Sequence, residues 1–330
     1  MRERNGILDF WKYIAAIGVI LVHVPFPGVV GNIGTSIGTC GVAFFFLISG
    51  FACYGDKDVM PRKIVKRLIR NGIITVVMVA IYLAFALYVS KLDHTDFLLK
   101  LTLKQPKTWL RMVLLGDFEF MYGSPLWFIE ALLLCYPIFL LIVKLDLRKV
   151  VVALTIPLLI LRIIVETYVN SYESASWHQS GNALIGALPM MLLGYVIAMY
   201  KDKIKIPNVA LIIIFAASVI AMFITVNVKI GIWDISQPFK ILAATSLVVY
   251  AIKNPTKHVF KPVEYLGRED SLYIYLFHFI LIIVIDGLLS PGVWTFPLIV
   301  IVVSLVFARI LAMIVKLVKL PFKKRKKVSA

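Results

Sequence analysis

Long apolar runs alternate with short polar segments along the chain, and this alternation predicts the secondary structure. A run of about 20 apolar residues is long enough to cross a bilayer as a helix. The pattern therefore predicts an all-α fold, a polytopic membrane helix bundle that forms one domain over 1–330 and ends in a short basic tail at 316–330. The ten expected spans lie near 7–24, 37–55, 72–90, 125–143, 148–166, 181–200, 207–226, 237–252, 271–289 and 294–315.

Composition and charge support this interpretation. Of the 330 residues, 61% are hydrophobic and 16% are charged, whereas soluble domains have about 45–50% apolar residues. The net charge of +17 would also suit a nucleic-acid-binding protein, but the basic residues are concentrated between the apolar runs, as in loops that face an anionic cytoplasmic leaflet. With the amino terminus inside, 25 of the 35 Lys and Arg fall in inner segments. We therefore expect cytoplasmic termini, contacts with membrane lipids and no nucleic-acid partner.

The three cysteines, Cys40, Cys53 and Cys135, all lie within apolar runs. Their odd number and their spacing fit neither a disulfide framework nor a set of metal ligands. We therefore expect no metal site and no permanently bound cofactor.

The first apolar run carries ionisable groups that a lipid-facing helix does not need. Lys12 and His23 are about three turns, or about 16 Å, apart on nearly one helix face, and Asp9 lies one turn before Lys12 and can pair with it. Ionisable groups at this depth are costly and usually functional. A neutral imidazole can take a proton from a hydroxyl and return it to a leaving group, so His23 is a candidate general base. The alternative is an interfacial histidine at a helix end.

The first inner loop is basic at helical spacing, with Lys66, Arg67 and Arg70 just before the third run. Arginines one turn apart can bind a phosphate through their guanidinium groups, and we expect these three residues to bind the phosphates of a donor. A solvated face on anionic lipid is an equally good explanation.

The outer segments combine aromatic rings with carboxylates, a combination suited to binding sugars. The candidates are Tyr122, Trp127 and Trp177, although Trp127 also suits the aromatic belt of a membrane protein. Glu130 lies one turn deeper than Trp127 and must find a partner or stay protonated. The long outer loop at 91–124 has enough amphipathic character for helices that lie on the membrane.

Two further polar groups of residues lie within apolar runs. Ser49 belongs to a small-residue segment, for which helix packing is the more economical explanation. Ser271, Tyr275 and His278 share one face of the ninth run, where they predict either a structural hydrogen-bond network or the wall of a tunnel.

Together these segments resemble the bacterial acyltransferase-3 family of integral membrane proteins. The matching pieces are Leu8-Asp9-Phe-Trp-Lys12 with ten residues before His23, Gly41-Val-Ala-Phe-Phe-Phe-Leu-Ile-Ser49-Gly50-Phe51, Arg67-Leu-Ile-Arg70, Leu126-Trp127-Phe128 and Ser271-Leu-Tyr-Ile-Tyr275-Leu-Phe-His278. The resemblance implies a multi-pass protein of the bacterial cytoplasmic membrane. It also implies transfer of an acyl group from acyl-CoA, most simply acetyl-CoA as co-substrate, to a hydroxyl of an extracytoplasmic cell-envelope glycan or glycolipid.

By the same resemblance, His23 would be the catalytic histidine, acting as general base or as transient acyl carrier, and Lys12 would assist donor placement or stabilise charge. The chain departs from the family pattern at Lys12, where arginine is more common, and at Asn71-Gly72, where a proline usually follows Arg70. Lysine lacks the guanidinium fork, so the donor contact is expected to differ.

Two other functions fit the same residues. A transporter or exporter could use Asp9, Lys12, His23 and Glu130 as a polar pathway, and a membrane sensor or anchoring domain would have no turnover. The oligomeric state, the acyl group and the acceptor do not follow from the sequence.

Overall fold

The computed structural model describes residues 5–92, 94–171, 182–227, 235–289 and 292–328, and these ranges contain no β-strand. The all-α fold is therefore confirmed. The helices are α1 (Gly6–His23), α2 (Gly28–Phe51), α3 (Met60–Leu92), α4 (Asp96–Leu103), α5 (Pro106–Leu115), α6 (Trp127–Lys144), α7 (Arg148–Ser171), α8 (Leu188–Tyr200), α9 (Asn208–Asn227), α10 (Gln237–Lys253), α11 (Lys261–Glu269), α12 (Ser271–Leu289) and α13 (Thr295–Val328).

The expected spans correspond to helices almost one for one. Within the described ranges, nine helical segments are long and apolar enough to cross a membrane, which confirms the polytopic bundle. The remaining expected span, 237–252, coincides with α10, whose 17 residues fall short of the roughly 20 that a perpendicular crossing needs. Helices α4 and α5 occupy the long outer loop, where amphipathic helices were expected.

The helices cluster into two compact units, and the single domain expected from the sequence stays a prediction. The first unit contains the chain up to Gly41 and the chain from Asn254 onward. Here α1 packs on α11, α12 and α13, and α12 packs on α13. Small residues bring α1 and the start of α2 together, because a Cβ atom at Gly18 would lie 2.8 Å from the Cα atom of Gly38. Apolar side chains fill the core of this unit, among them Ala16, Ile20, Ile274, Ile285, Val300 and Ala308.

The second unit runs from Val42 to Lys253. Its main pairs are α3 with α6, α7 with α8, and α9 with α10. The end of α2 crosses α8 closely, since a Cβ atom at Gly194 would overlap the Leu47 carbonyl oxygen. Close approach through glycine is the usual way in which membrane helices gain packing energy.

The α10 segment generates a topological prediction. Ten crossings return the chain to the side on which it starts, which we expect to be the cytoplasm. A green fluorescent protein fused to the carboxyl terminus should then fluoresce, and a phosphatase that is active only on the extracytoplasmic side should be inactive there. If α10 does not cross, the two reporters should give the opposite result. The same reporters at the amino terminus provide the control, because that end precedes every crossing.

Candidate functional site

The amino-terminal end of α1 is fixed by local hydrogen bonds. The Asn5 side chain accepts a hydrogen bond from the Leu8 amide at 3.1 Å and so caps the helix. One turn further, Lys12 Nζ contacts Asp9 Oδ1 at 2.7 Å, and the Asp9 side chain is almost fully buried. The ion pair that the spacing indicated is present. Because Asp9 compensates the ammonium group, Lys12 can lie among apolar helices at modest cost.

Helix α11 lies directly against this end of α1. A Cβ atom at Gly267 would overlap the Asp9 carbonyl oxygen, so only glycine permits the contact. At the start of α11, the Glu264 carboxylate contacts His258 Nδ1 and accepts the Val259 amide, each at 2.7 Å. Burial raises the pKa of Glu264, but these hydrogen bonds outweigh burial and hold the pKa below its ordinary value. The carboxylate is thus ionised and fastens the loop before α11 at neutral pH.

His23 ends α1, about 16 Å from Lys12 along the axis. Its ring packs against two side chains of α12, with the ring centroid 5.3 Å from that of His278 and 5.2 Å from that of Phe279. The remainder of the imidazole is exposed at the surface of its unit. One face of the His23 ring is therefore held by α12, while another stays open to a reactant.

His278 is the buried member of this histidine pair, with no exposed surface. Its Nδ1 atom lies 2.8 Å from the Tyr275 carbonyl oxygen and 3.2 Å from that of Ile274. A carbonyl oxygen only accepts hydrogen bonds, so Nδ1 carries the proton. In the neutral ring, Nε2 then holds a lone pair, and this buried atom has no hydrogen-bond partner in the described part of the chain.

The other candidate polar residues within the apolar runs are Ser271, Tyr275 and Ser49. Ser271 Oγ donates to the Gly267 carbonyl at 2.6 Å, which ties α12 to α11. Tyr275 is buried with its ring centroid 6.0 Å from that of His278. In the second unit, Ser49 Oγ donates to the Phe45 carbonyl of its own helix at 2.8 Å, a common arrangement for serine within helices.

The basic residues that precede the third span differ in their surroundings. Arg67 Nη1 donates to the Ala52 carbonyl at 2.6 Å, just beyond the end of α2. The guanidinium thereby satisfies a carbonyl that the helix end leaves free and complements the negative end of the helix dipole. Lys66 and Arg70 are exposed on α3.

Glu130 is buried in the first turn of α6. Neither carboxyl oxygen has a hydrogen-bond partner among the residues described. A Cβ atom at Gly116 would lie 3.1 Å from Oε2, so the loop after α5 covers the carboxyl group closely. Burial of an uncompensated carboxylate is costly, which makes Glu130 the most unusual acidic group of the second unit.

The candidate sugar-binding rings are partly packed. Trp127 lies with its ring centroid 5.8 Å from that of Phe46, and Tyr122 lies 6.2 Å from Phe85. Both remain half-buried. Trp177 lies outside the described residues.

Two ion pairs that the sequence did not assign involve the charged residues Arg162 and Arg309 of the predicted spans. Arg162 Nη2 contacts Glu166 Oε1 at 2.8 Å with both side chains nearly buried, and Arg162 also donates to the Gly186 carbonyl in a π-helical turn. Arg309 Nη1 contacts the buried Asp270 at 3.2 Å. A charged residue within an apolar span was the available signal, but it did not identify the partners. Across the described ranges, no three His, Cys, Asp or Glu side chains are grouped so as to hold a metal ion.

Comparison with protein families accounts for nearly the whole chain. Residues 5–315 match the model of the acyltransferase-3 family, described as an acyltransferase domain. A comparison with curated proteins gave no match, and a comparison with solved structures gave none either. Because this match covers nearly the whole chain, including His23 and α12, the chain belongs to the acyltransferase-3 family of membrane proteins.

Proposed function

We propose that this protein is a membrane O-acyltransferase. It takes an acyl group, most simply acetyl, from acyl-CoA on the cytoplasmic side of a bacterial membrane and transfers it to a hydroxyl of an extracytoplasmic cell-envelope glycan or glycolipid. The observation that carries this proposal is the histidine pair, in which His23 is exposed beside a buried His278 whose free Nε2 can only accept a hydrogen bond while the ring is neutral. Family membership supports the reaction class.

The chemistry follows from a neutral imidazole at the end of α1. His23 removes the proton of the acceptor hydroxyl, the oxygen attacks the thioester carbonyl, and the carbon–sulfur bond breaks. The imidazolium returns its proton to the departing thiolate, so charge and protons balance. In the covalent variant, His23 itself attacks the thioester carbonyl, the carbon–sulfur bond breaks, and the departing thiolate takes the proton that the imidazole loses. The acceptor oxygen then attacks the acyl-imidazole, the carbon–nitrogen bond breaks, and the hydroxyl proton returns to the imidazole.

His278 acts as a positioning residue in this scheme. Its Nδ1–H is committed to the Tyr275 carbonyl, so Nε2 can accept the N–H of His23 when a substrate tightens the site. Catalytic hydrogen bonds are often loose before substrate binds. The bond would hold His23 in the tautomer whose other nitrogen is free to act as a base, as the third member of a catalytic triad does.

Replacement of His23 tests the central role. Purified wild-type protein should move label from acetyl-CoA to an envelope glycan or to water, and His23→Ala should lower that rate by about 10²–10⁴-fold, the usual contribution of general base catalysis. Lys12→Ala provides a comparison on the same helix face, where loss of the ion pair should raise KM more than it lowers kcat. Equal rates for wild type and His23→Ala would contradict the assignment.

Two substitutions at His278 separate its proposed hydrogen bond to His23 from its bond to the Tyr275 carbonyl. His278→Gln can place an amide near the Nε2 position, whereas His278→Asn can retain only the Nδ1-like donor to the Tyr275 carbonyl. We expect Gln to keep kcat within about tenfold of wild type and Asn to lose about 10²-fold, with KM unchanged in both. Full activity in His278→Asn, together with loss in His278→Gln, would show instead that the backbone bond is what matters.

Arg67 and Arg70 allow a matched test of the predicted donor site, because Arg70 is exposed whereas Arg67 donates to the Ala52 carbonyl. Arg70→Gln should raise KM for acetyl-CoA by about tenfold without changing kcat, because an exposed guanidinium can bind phosphate in ground and transition states alike. Arg67→Gln should lower the free energy of unfolding by about 1–3 kcal/mol, since the Ala52 carbonyl loses its charged donor. Unfolding in SDS and steady-state kinetics measure both quantities. A changed KM with unchanged stability in Arg67→Gln would favour a donor role for Arg67.

A proton-coupled transporter is the second candidate, and Glu130 is the observation that favours it. A buried carboxyl group without a partner suits a group that gains and loses a proton during transport. Substrate flux into vesicles that contain no acyl donor would support this function, whereas donor turnover that depends on His23 would exclude it as the principal activity.

A further inference from the structure

Positive charge is concentrated around a single tyrosine in the first unit. The guanidinium carbons of Arg268 and Arg309 each lie 4.9 Å from the centroid of the Tyr265 ring, and Lys316 Nζ lies 6.0 Å from it. Significant cation–π contacts occur about once per 70–80 residues in proteins. Three at one ring, from α11 and α13, therefore mark this cluster as unusual.

The carboxylates nearby do not balance this charge. Asp270 pairs with Arg309 at 3.2 Å, and Glu269 pairs with the Nε atom of Arg268 at 2.7 Å. Three cations against two carboxylates leave one positive charge in excess. Lys316 has no carboxylate partner among the described residues, and its side chain is exposed.

Several hydrogen-bond donors of the cluster remain available. Glu269 occupies only Nε of Arg268, so the two terminal nitrogens of this exposed side chain have no protein acceptor in the described ranges. The Tyr265 oxygen accepts a hydrogen bond from Arg309 Nη2 at 3.2 Å, which leaves its own O–H free to donate. That hydrogen bond from Arg309 also lowers the pKa of Tyr265. The cluster thus favours negative charge on an oxygen placed beside it.

We propose that Tyr265, Arg268, Arg309 and Lys316 form a binding site for a phosphate ester. A guanidinium held against an aromatic ring can present its terminal N–H groups to phosphate oxygens, and Lys316 adds a point charge. The positive-inside pattern predicts that this site faces the cytoplasm.

Two kinds of molecule can present a phosphate ester to this site. One is the headgroup of an anionic phospholipid, which basic pockets between membrane helices bind on the cytoplasmic side. The other is the phosphate of a soluble nucleotide such as coenzyme A. The site itself does not rest on the proposed acyl transfer, because occupancy can be measured without turnover.

The test uses the purified full-length protein in a neutral detergent with two probes. Coenzyme A is titrated by calorimetry, and dioleoylphosphatidylglycerol is added in mixed micelles and followed by native mass spectrometry. The double variant Arg268→Gln/Lys316→Gln removes the two cations with free donors. The matched control is Lys201→Gln/Lys203→Gln, which removes the same charge beside Tyr200, where Lys203 lies 5.7 Å from the ring centroid without a second cation.

The double variant should weaken binding of one probe by about tenfold or more, because it removes the charge-assisted hydrogen bonds of two cations. The control pair should change it less than about twofold. Selective loss of the lipid identifies a headgroup site, and selective loss of coenzyme A identifies a nucleotide site. Unchanged binding of both probes, or equal loss in the control, would overturn the proposal.

A second variant keeps the test decisive if the double variant unfolds. Tyr265→Phe retains the ring that holds the guanidinium groups and removes the hydroxyl, with both its O–H donor and the oxygen that accepts from Arg309. It should fold and weaken the same probe about threefold to tenfold. Circular dichroism and size-exclusion chromatography verify folding. Identical affinity in wild type and Tyr265→Phe would argue for a purely structural latch between α11 and α13.

Discussion

Lipid offers no hydrogen-bond partners, so each polar group within the apolar helices has to find its partner inside the protein. Most of those described do so over short distances. Asp9 neutralises Lys12 one turn away, Arg162 pairs with Glu166 on the next turn, and Ser49 bonds to its own helix backbone. These pairs allow charged residues within the spans without exposing charge to lipid. The same requirement makes the remaining polar atoms informative.

Two ionisable side chains stand out among those with buried polar atoms that have no partner in the described ranges. The Nε2 atom of His278 and both carboxyl oxygens of Glu130 are buried without partners in the described part of the chain. An unsatisfied buried polar group costs free energy that a purely structural helix could avoid by using an apolar residue. His278 lies beside the exposed His23 in one unit, and Glu130 lies in the other. The histidine pair is the basis of the proposed acyl transfer, whereas Glu130, buried without a hydrogen-bond partner in the described ranges, is the basis of the alternative transport function.

Sequence periodicity identified the helices because each span is a long apolar run with a basic boundary. The run at 237–252 is also a helix, although α10 has only 17 residues. Local spacing also identified the Asp9–Lys12 pair. It did not reveal that His278 packs on His23, or that Arg309 reaches Asp270, because those contacts depend on how distant helices pack. Arg67 illustrates the same limit. Its spacing with Arg70 indicated a phosphate clamp, but only the fold brings the Ala52 carbonyl to its guanidinium.

The glycine contact between α1 and α2 has a mechanical consequence for His23. With the backbones touching at Gly18 and Gly38, α1 cannot turn about its axis without pushing against α2, and α12 braces the other side of the imidazole through His278 and Phe279. Close-packed interiors resist such displacement. These contacts hold the His23 imidazole in place. In the proposed acyl transfer, the donor and the acceptor must therefore each reach this fixed ring from their own side of the membrane.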